Sequence, residues 1–196
     1  MSSLLIVNAQ LVNEGNIVEG GVYIENGRIS QVGQVDHLQA DQVIDANGQH
    51  LLPGMIDDQV HFREPGNGLK GTIASESAAA VAGGITSFME MPNTSPPTLT
   101  IDALNQKYAL AGGKSLANYA FYMGTSNDNL QDILSLKPGD ACGIKIFMGA
   151  STGNMLVDNP DTLARIFAEA PILVATHCED TPTILRNEAR YREQYG

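Results

Sequence analysis

The sequence predicts an α/β chain: a small all-β unit of sandwich type over residues 1–50, then a parallel (β/α) barrel over residues 51–196 that is incomplete at about five β/α units. Three observations predict it. The first fifty residues form short alternating strands punctuated by Asn-Gly pairs. From Leu51 onward, five short apolar strands alternate with five helical segments, the crossover pattern that parallel pairing requires. Nearly every one of those strands ends in a reactive or ligand-competent group, which suits a barrel rim; an open sheet would gather its site at one switch point, and no glycine-rich phosphate loop is present.

Taken in order, SLLIVNAQLV alternates as a strand, and GGVYIENGRISQVG gives two strands around Asn26-Gly27. DQVIDANGQHLLPG predicts another strand pair around Asn47-Gly48. The barrel strands are then LLPGMIDDQVHF, ITSFMEMPN, ANYAFYMG, CGIKIFMG and PILVATHCED, each followed by a helical stretch. Gly83-Gly84 and Gly112-Gly113 mark helix ends, while Asn159-Pro160 and Asp180-Thr181-Pro182 mark helix starts with proline in the first turn. A closed barrel takes about 250 residues. Five strands leave edges unpaired, and EARYREQYG ends inside a helical pattern. The sequence therefore predicts the N-terminal part of a longer protein, or a chain needing complementation, inactive by itself.

A net charge of -11 argues against nucleic-acid binding, which needs a basic face. No apolar run approaches the roughly 18 residues of a membrane span, and no secretory signal is visible, so the expected location is the cytoplasm. Cys142 and Cys178 lie far apart without metal-knuckle spacing and are expected as reduced, buried thiols. A homodimer is compatible with this composition.

Five residues stand out as candidates for chemistry. His61 sits where a strand meets its loop, with Gln59 on the same face by period-two alternation; an imidazole there suits Zn²⁺, or a structural hydrogen bond. Arg63 offers a planar fork for a carboxylate, or an ordinary salt bridge to Glu64 or Glu76. Asn93 ends the second barrel strand. Lys145 interrupts an apolar strand, where burial would favour the neutral amine, able to add CO₂ as a carbamate; the alternative is a lysine that reaches the surface or a loop carboxylate. His177 ends the fifth strand, with Thr176 and Glu179 placed to orient it. His37 and His50 fall in predicted loops of the β unit and are expected at the surface.

LLPGMIDDQVHFREPG, AAVAGGITSFMEMPNTSPP, GIKIFMGASTGNML and ATHCED together resemble the amidohydrolase superfamily, and within it the dihydroorotases, across essentially the whole chain. The resemblance implies a metal-dependent-hydrolase barrel that opens dihydroorotate reversibly to N-carbamoyl-aspartate. It implies Zn²⁺, one ion or two, with His61, Lys145 and His177 as ligands and Lys145 carbamoylated where two ions are bridged. It also implies that Arg63 and Asn93 grip the substrate carboxylate. Two positions depart from the family pattern: Gln59 replaces the first histidine of His-x-His, and Leu69 replaces a loop histidine before Lys70. Asp57 or Asp58 could then take over part of the first-strand role. A non-catalytic relative, a hydantoinase and an allantoinase stay open as alternatives.

Overall fold

The computed structural model describes residues 2–149 and 154–196, and the chain divides into two compact units, Met1–Gly54 and Met55–Gly196. Of the segment MGASTGNMLVD, expected as a loop over the site or a plain connection, Ala150 to Gly153 lie outside the described residues.

The N-terminal unit contains β1 (Ser3–Asn13), β2 (Asn16–Glu25), β3 (Arg28–Gly33), β4 (Gln42–Asp45) and β5 (His50–Leu51). They form one mixed sheet in the order β3-β2-β1-β4, with β5 also on β1, so the unit is a single sheet and not two stacked layers. Its small core is Ala9, Leu11 and Val22. The hairpin between β2 and β3 turns at Asn26 and Gly27, both at positive φ (52° and 74°), which matches the right-handed twist of the strands. Glu14-Gly15 makes the same kind of turn between β1 and β2 (φ 50° and 76°).

Asn47-Gly48 also has positive φ (50° and 77°), yet it does not make the expected strand pair. The strands on either side of it both run parallel to β1, β4 beside Leu4–Val7 and β5 beside Gln10–Leu11. The cause is a bulge in β1 at Asn8 (φ 54°). Gly48 N donates to Asn8 O at 2.7 Å, and Asn8 Nδ2 donates to Asp45 Oδ1 at 2.9 Å. The turn wraps the bulge and returns the chain to the same edge. His50 consequently lies in a short strand and not in a loop, exposed as expected.

The second unit is a curled half-barrel of five parallel strands in sequential order: β6 (Met55–Val60), β7 (Ile85–Glu90), β8 (Asn118–Gly124), β9 (Gly143–Phe147) and β10 (Val174–His177). Helices α1 (Ile73–Ala82), α2 (Ile101–Ala111), α3 (Leu130–Ser135), α4 (Pro160–Glu169) and α5 (Thr181–Tyr195) follow the strands one by one. Their ends are fixed by local chemistry. Thr72 and Ser75 form a reciprocal capping box on α1, and Asn159 Oδ1 accepts from Asp161 N and Thr162 N at the start of α4. Gly84 and Gly113 take the positive φ needed just past α1 and α2 (90° and 77°).

The core between sheet and helices is built on Ile73, Phe88, Leu104, Phe121, Ile133 and Ile144. Phe121 of β8 meets Tyr108 of α2 edge to face, ring centres 4.9 Å apart. Burying side chains of this size contributes about 1.5–3 kcal/mol each, and it is this layer that holds the sheet rigid beneath its loops. Among the described residues no helix is long and apolar enough to cross a membrane.

Helix α5 buries no side chain and relies on its cap, where Asp180 accepts from Thr183 N at 3.2 Å and from the Thr183 hydroxyl. Those bonds hold the Asp180 carboxyl below the usual carboxylate range. A depressed folded pKa means that the cap's contribution is present above the unfolded pKa and is lost as pH falls through the folded one. Protection of the Thr183 and Ile184 amides, taken relative to their intrinsic exchange rate at each pH, is therefore expected to fall as the pH drops below the usual carboxylate range. Asp180→Asn, which caps without a charge, should flatten that dependence, as hydrogen exchange followed by NMR would reveal.

Candidate functional site

Parallel pairing brings the C-terminal ends of all five strands to one edge of the sheet, and four of the five candidate residues sit at or just beyond those ends. His61 and Arg63 follow β6, Asn93 follows β7, and His177 closes β10. Lys145 lies one step further in, at the middle of β9.

Register then decides which face each side chain takes. Ala175 pairs with Lys145, and His177 pairs with Phe147. Ile146 packs with Val157 and with Ile166 of α4, so the alternating residues Lys145 and Phe147 occupy the opposite, inner face, and Ala175 and His177 share it. Phe147 joins the two polar groups: Lys145 Nζ stands 5.2 Å from its ring centre and the His177 ring 6.1 Å away. Tyr122 crosses the same interior to donate to Asp58 O at 3.2 Å.

Lys145 is only 4% exposed and has no carboxylate partner among the described residues. Burial pushes its amine pKa down, toward the neutral form. Of the two sequence alternatives, a lysine that reaches the surface is therefore excluded, and so is a salt bridge. His61 is exposed, but its imidazole is also held below the ordinary range. Desolvation is the first cause and the Arg63 charge the second, with Asn93 acting in the opposite direction and Lys145 adding a smaller repulsion. That set of influences groups His61, Arg63, Asn93 and Lys145 in one electrostatic neighbourhood.

Arg63 makes no ion pair among the described residues. Its two expected partners are engaged elsewhere: Glu64 pairs with Lys114 at 3.0 Å and accepts from Ile73 N at 2.7 Å, while Glu76 accepts from the Ser75 hydroxyl. Arg63 also sits at φ 68°, a left-handed conformation uncommon outside glycine. Asn93 Oδ1 is buried and faces the His61 imidazole without a well-aligned hydrogen bond. The loops that carry these two residues are locked together, Ser95 N donating to Pro65 O at 3.1 Å. Gly66 (φ 99°) lies so close to the Ser95 backbone that a Cβ there would collide with it.

Several expectations are corrected. Thr176 does not orient His177; its hydroxyl lies 2.6 Å from Cys178 Sγ, and His177 Nε2 is held by Glu179 Oε1 at 3.1 Å. Cys178 is exposed, whereas the Cys142 thiol is pushed up to about 12 by burial. The alternation that set Gln59 beside His61 crosses an irregularity: three residues of β6 from Asp57 to Val60 span two of β7, Phe88 to Glu90. Asp57 Oδ1 accepts Gln59 N within that bulge, so this carboxylate is turned to its own backbone. Leu69 is fully exposed.

Two buried charges escaped the sequence reading. Glu90 and Lys107 are 1% and 2% exposed and pair at 2.9 Å. A signal existed for each. Glu90 shares the face of Phe88 by period two, and Lys107 falls with Leu104 and Ala111 on the buried stripe of α2.

Among the described residues no three His, Cys, Asp or Glu side chains gather as a ready metal cage. The donor set can still suit a metal through Lys145: burial and the lack of a carboxylate partner among the described residues favour its neutral amine, the form that takes up CO₂, and a carbamate there would add anionic oxygens to the imidazoles of His61 and His177.

Residues 50–194 match the Amidohydrolase family model. The chain is 32% identical over 191 residues to the dihydroorotase of Thermococcus kodakarensis, covering 95% of this chain and 44% of that protein. It is 34% identical over 199 residues to the allantoinase of Solibacter usitatus, covering 98% and 43%. Among solved structures, L-hydantoinase (dihydropyrimidinase) from Arthrobacter aurescens is similar with a TM-score of 0.88 at 30% identity, covering 100% of this chain and 45% of that one. The chain thus spans less than half the length of these relatives.

A buried amine without a counter-charge burdens the fold. Lys145→Met, which keeps the chain length and removes the polar tip, should raise stability by about 1 kcal/mol. Urea denaturation would measure this; a loss of stability would mean that Lys145 has a structural partner.

Proposed function

Because the chain belongs to the amidohydrolase family, we propose that it supplies the N-terminal half of the active site of a cytoplasmic cyclic amidase whose substrate is dihydroorotate, opened reversibly to N-carbamoyl-aspartate. The observation that carries this reading is the pair Arg63 and Asn93, a guanidinium without an ion-pair partner among the described residues and a buried amide whose side chain meets only the His61 imidazole. A substrate carboxylate satisfies the guanidinium bidentately. Asn93 Oδ1 can accept a ring N–H of the substrate as well, while its Nδ2 can reach the carboxylate. Dihydroorotate carries both groups; hydantoin and allantoin lack the carboxylate.

In the reaction the ring C–N bond breaks, the oxygen of water becomes part of the new carboxylate, and a proton goes to the leaving nitrogen. Arg63 and Asn93 hold the ring against the sheet edge and fix its approach, an effect of proximity and orientation. Tyr122 and Phe147 wall the inner face and limit water there. His61, His177 and carbamoylated Lys145 would hold Zn²⁺, one ion or two, and the metal would supply Lewis acidity at the amide carbonyl. With His177 Nε2 now 3.1 Å from Glu179 Oε1, a metal held through that nitrogen would displace this contact, whereas one held through Nδ1 would leave Glu179 to orient the ring.

A non-catalytic relative is the second reading, favoured by Gln59 and by the lack of a three-ligand cluster among the described residues. The substrates named for similar proteins also favour testing hydantoin and allantoin alongside dihydroorotate.

Titration calorimetry with N-carbamoyl-aspartate should show Arg63→Ala weakening affinity about 10- to 100-fold, the loss of roughly 1.5–3 kcal/mol from charged hydrogen bonds. Unchanged affinity would remove the carboxylate clamp, and equal binding of hydantoin would move the substrate class. Growth with ¹³C-bicarbonate and Zn²⁺ should give a carbamate carbon signal that vanishes in Lys145→Met and after chelation. Protein that carries zinc in stoichiometric amount without that signal would refute carbamoylation, and protein that carries no zinc would favour the non-catalytic reading.

A further inference from the structure

The Glu90–Lys107 pair takes no part in the reaction proposed above, yet its bonds converge on both loops of the site. Phe62 N, between His61 and Arg63, donates to Glu90 Oε1 at 3.2 Å, and the N–H of Arg63 acts on the same carboxylate. Lys107 Nζ lies 2.9 Å from Glu90 Oε2 and donates to Met91 O at 3.0 Å, two residues before Asn93. The same Nζ stands 4.9 Å from the Phe121 ring centre. One buried cluster thus reaches the backbone of the Arg63 turn through its anion and the backbone of the Asn93 loop through its cation.

An ion pair sealed this completely is a poor way to stabilise a fold, since apolar residues of similar volume commonly do as well or better. Burial drives Glu90 up and Lys107 down, each toward its neutral form; the partner's charge and hydrogen bond oppose this most, and the backbone N–H groups of Phe62 and Arg63 add to the opposition at Glu90. What apolar side chains could not do is accept the N–H groups of a turn whose central residue is held at a left-handed φ of 68°. Regular pairing of β6 with β7 ends at Val60, so among the described residues those N–H groups have no strand partner to turn to.

We propose that Glu90, paired with Lys107, is a positioning residue that sets the spacing between Arg63 and Asn93 for the substrate anion. The binding part of this proposal rests on the carboxylate-clamp reading; the backbone part does not. Neither residue touches substrate in this account. They act through Phe62, Arg63 and Met91.

The test compares Glu90→Gln, Glu90→Leu and the double variant Glu90→Leu with Lys107→Met. Three quantities are read: unfolding midpoint, affinity for N-carbamoyl-aspartate, and NMR amide exchange at Phe62 and Arg63, with Ile144 as an internal reference. In Glu90→Leu, affinity should fall at least tenfold and exchange at Phe62 and Arg63 should rise by a similar factor, while Ile144 keeps its rate. In the double variant the unfolding midpoint should recover, because no charge is left unpaired, but affinity and exchange should not. Glu90→Gln, which keeps an acceptor, should fall between wild type and Glu90→Leu. Recovery of affinity together with stability in the double variant would overturn the proposal and leave the pair purely structural, as would unaltered exchange at Phe62 in all three. If the wild type binds neither N-carbamoyl-aspartate nor dihydroorotate, the substrate reading fails by itself, and the exchange rates still decide the role of Glu90.

Discussion

Parallel strand pairing is the constraint from which the rest of the second unit follows. A parallel neighbour can be reached only by a crossover, so each strand must be followed by a helix, and each strand must point the same way. All the loops that leave the strands then crowd one edge, while the helices cover the outer face. A histidine on β10 and an arginine after β6, separated by more than a hundred residues in sequence, come to the same rim without any local signal linking them. The pairing register, and not proximity in the chain, also sorts the faces: the steps that put Ile144 and Ile146 into the helix-facing core put Lys145 and Phe147 on the other side.

Much of this was legible because the relevant signals are short-range. Five strand–helix alternations, glycine pairs at helix ends and Asn-Pro or Asp-Thr-Pro at helix starts are each decided within a few residues, and the elements observed fall where those residues placed them. The candidate positions drew attention for a related reason. A lysine inside GIKIF or an arginine directly after a strand violates the local pattern, and a violation marks function more often than accident.

What escaped depends on partners distant in sequence. Asn47-Gly48 has the dihedral angles of a hairpin turn, but whether its flanking strands pair with each other depends on a bulge forty residues earlier, at Asn8. The bulge around Gln59 is visible only when β6 is counted against β7. Glu90 and Lys107 each look like an exposed polar residue until the buried stripe of α2 is laid on the face of β7 that carries Phe88. Thr176 looked placed to orient His177, since nothing local distinguishes it from Glu179; the hydroxyl turned out to face the neighbouring sulfur.

The close fit of Gly66 against Ser95 has a consequence for anyone who would exchange specificity between relatives of this protein. With no room for even one added carbon, and with Ser95 N bound to Pro65 O, the two segments behave as a single mechanical part. Grafting either one alone from a hydantoin-type or allantoin-type scaffold imports half of a mated surface. The unit of inheritance is the couple, and recombination experiments should carry residues 61–67 and 91–98 as one cassette.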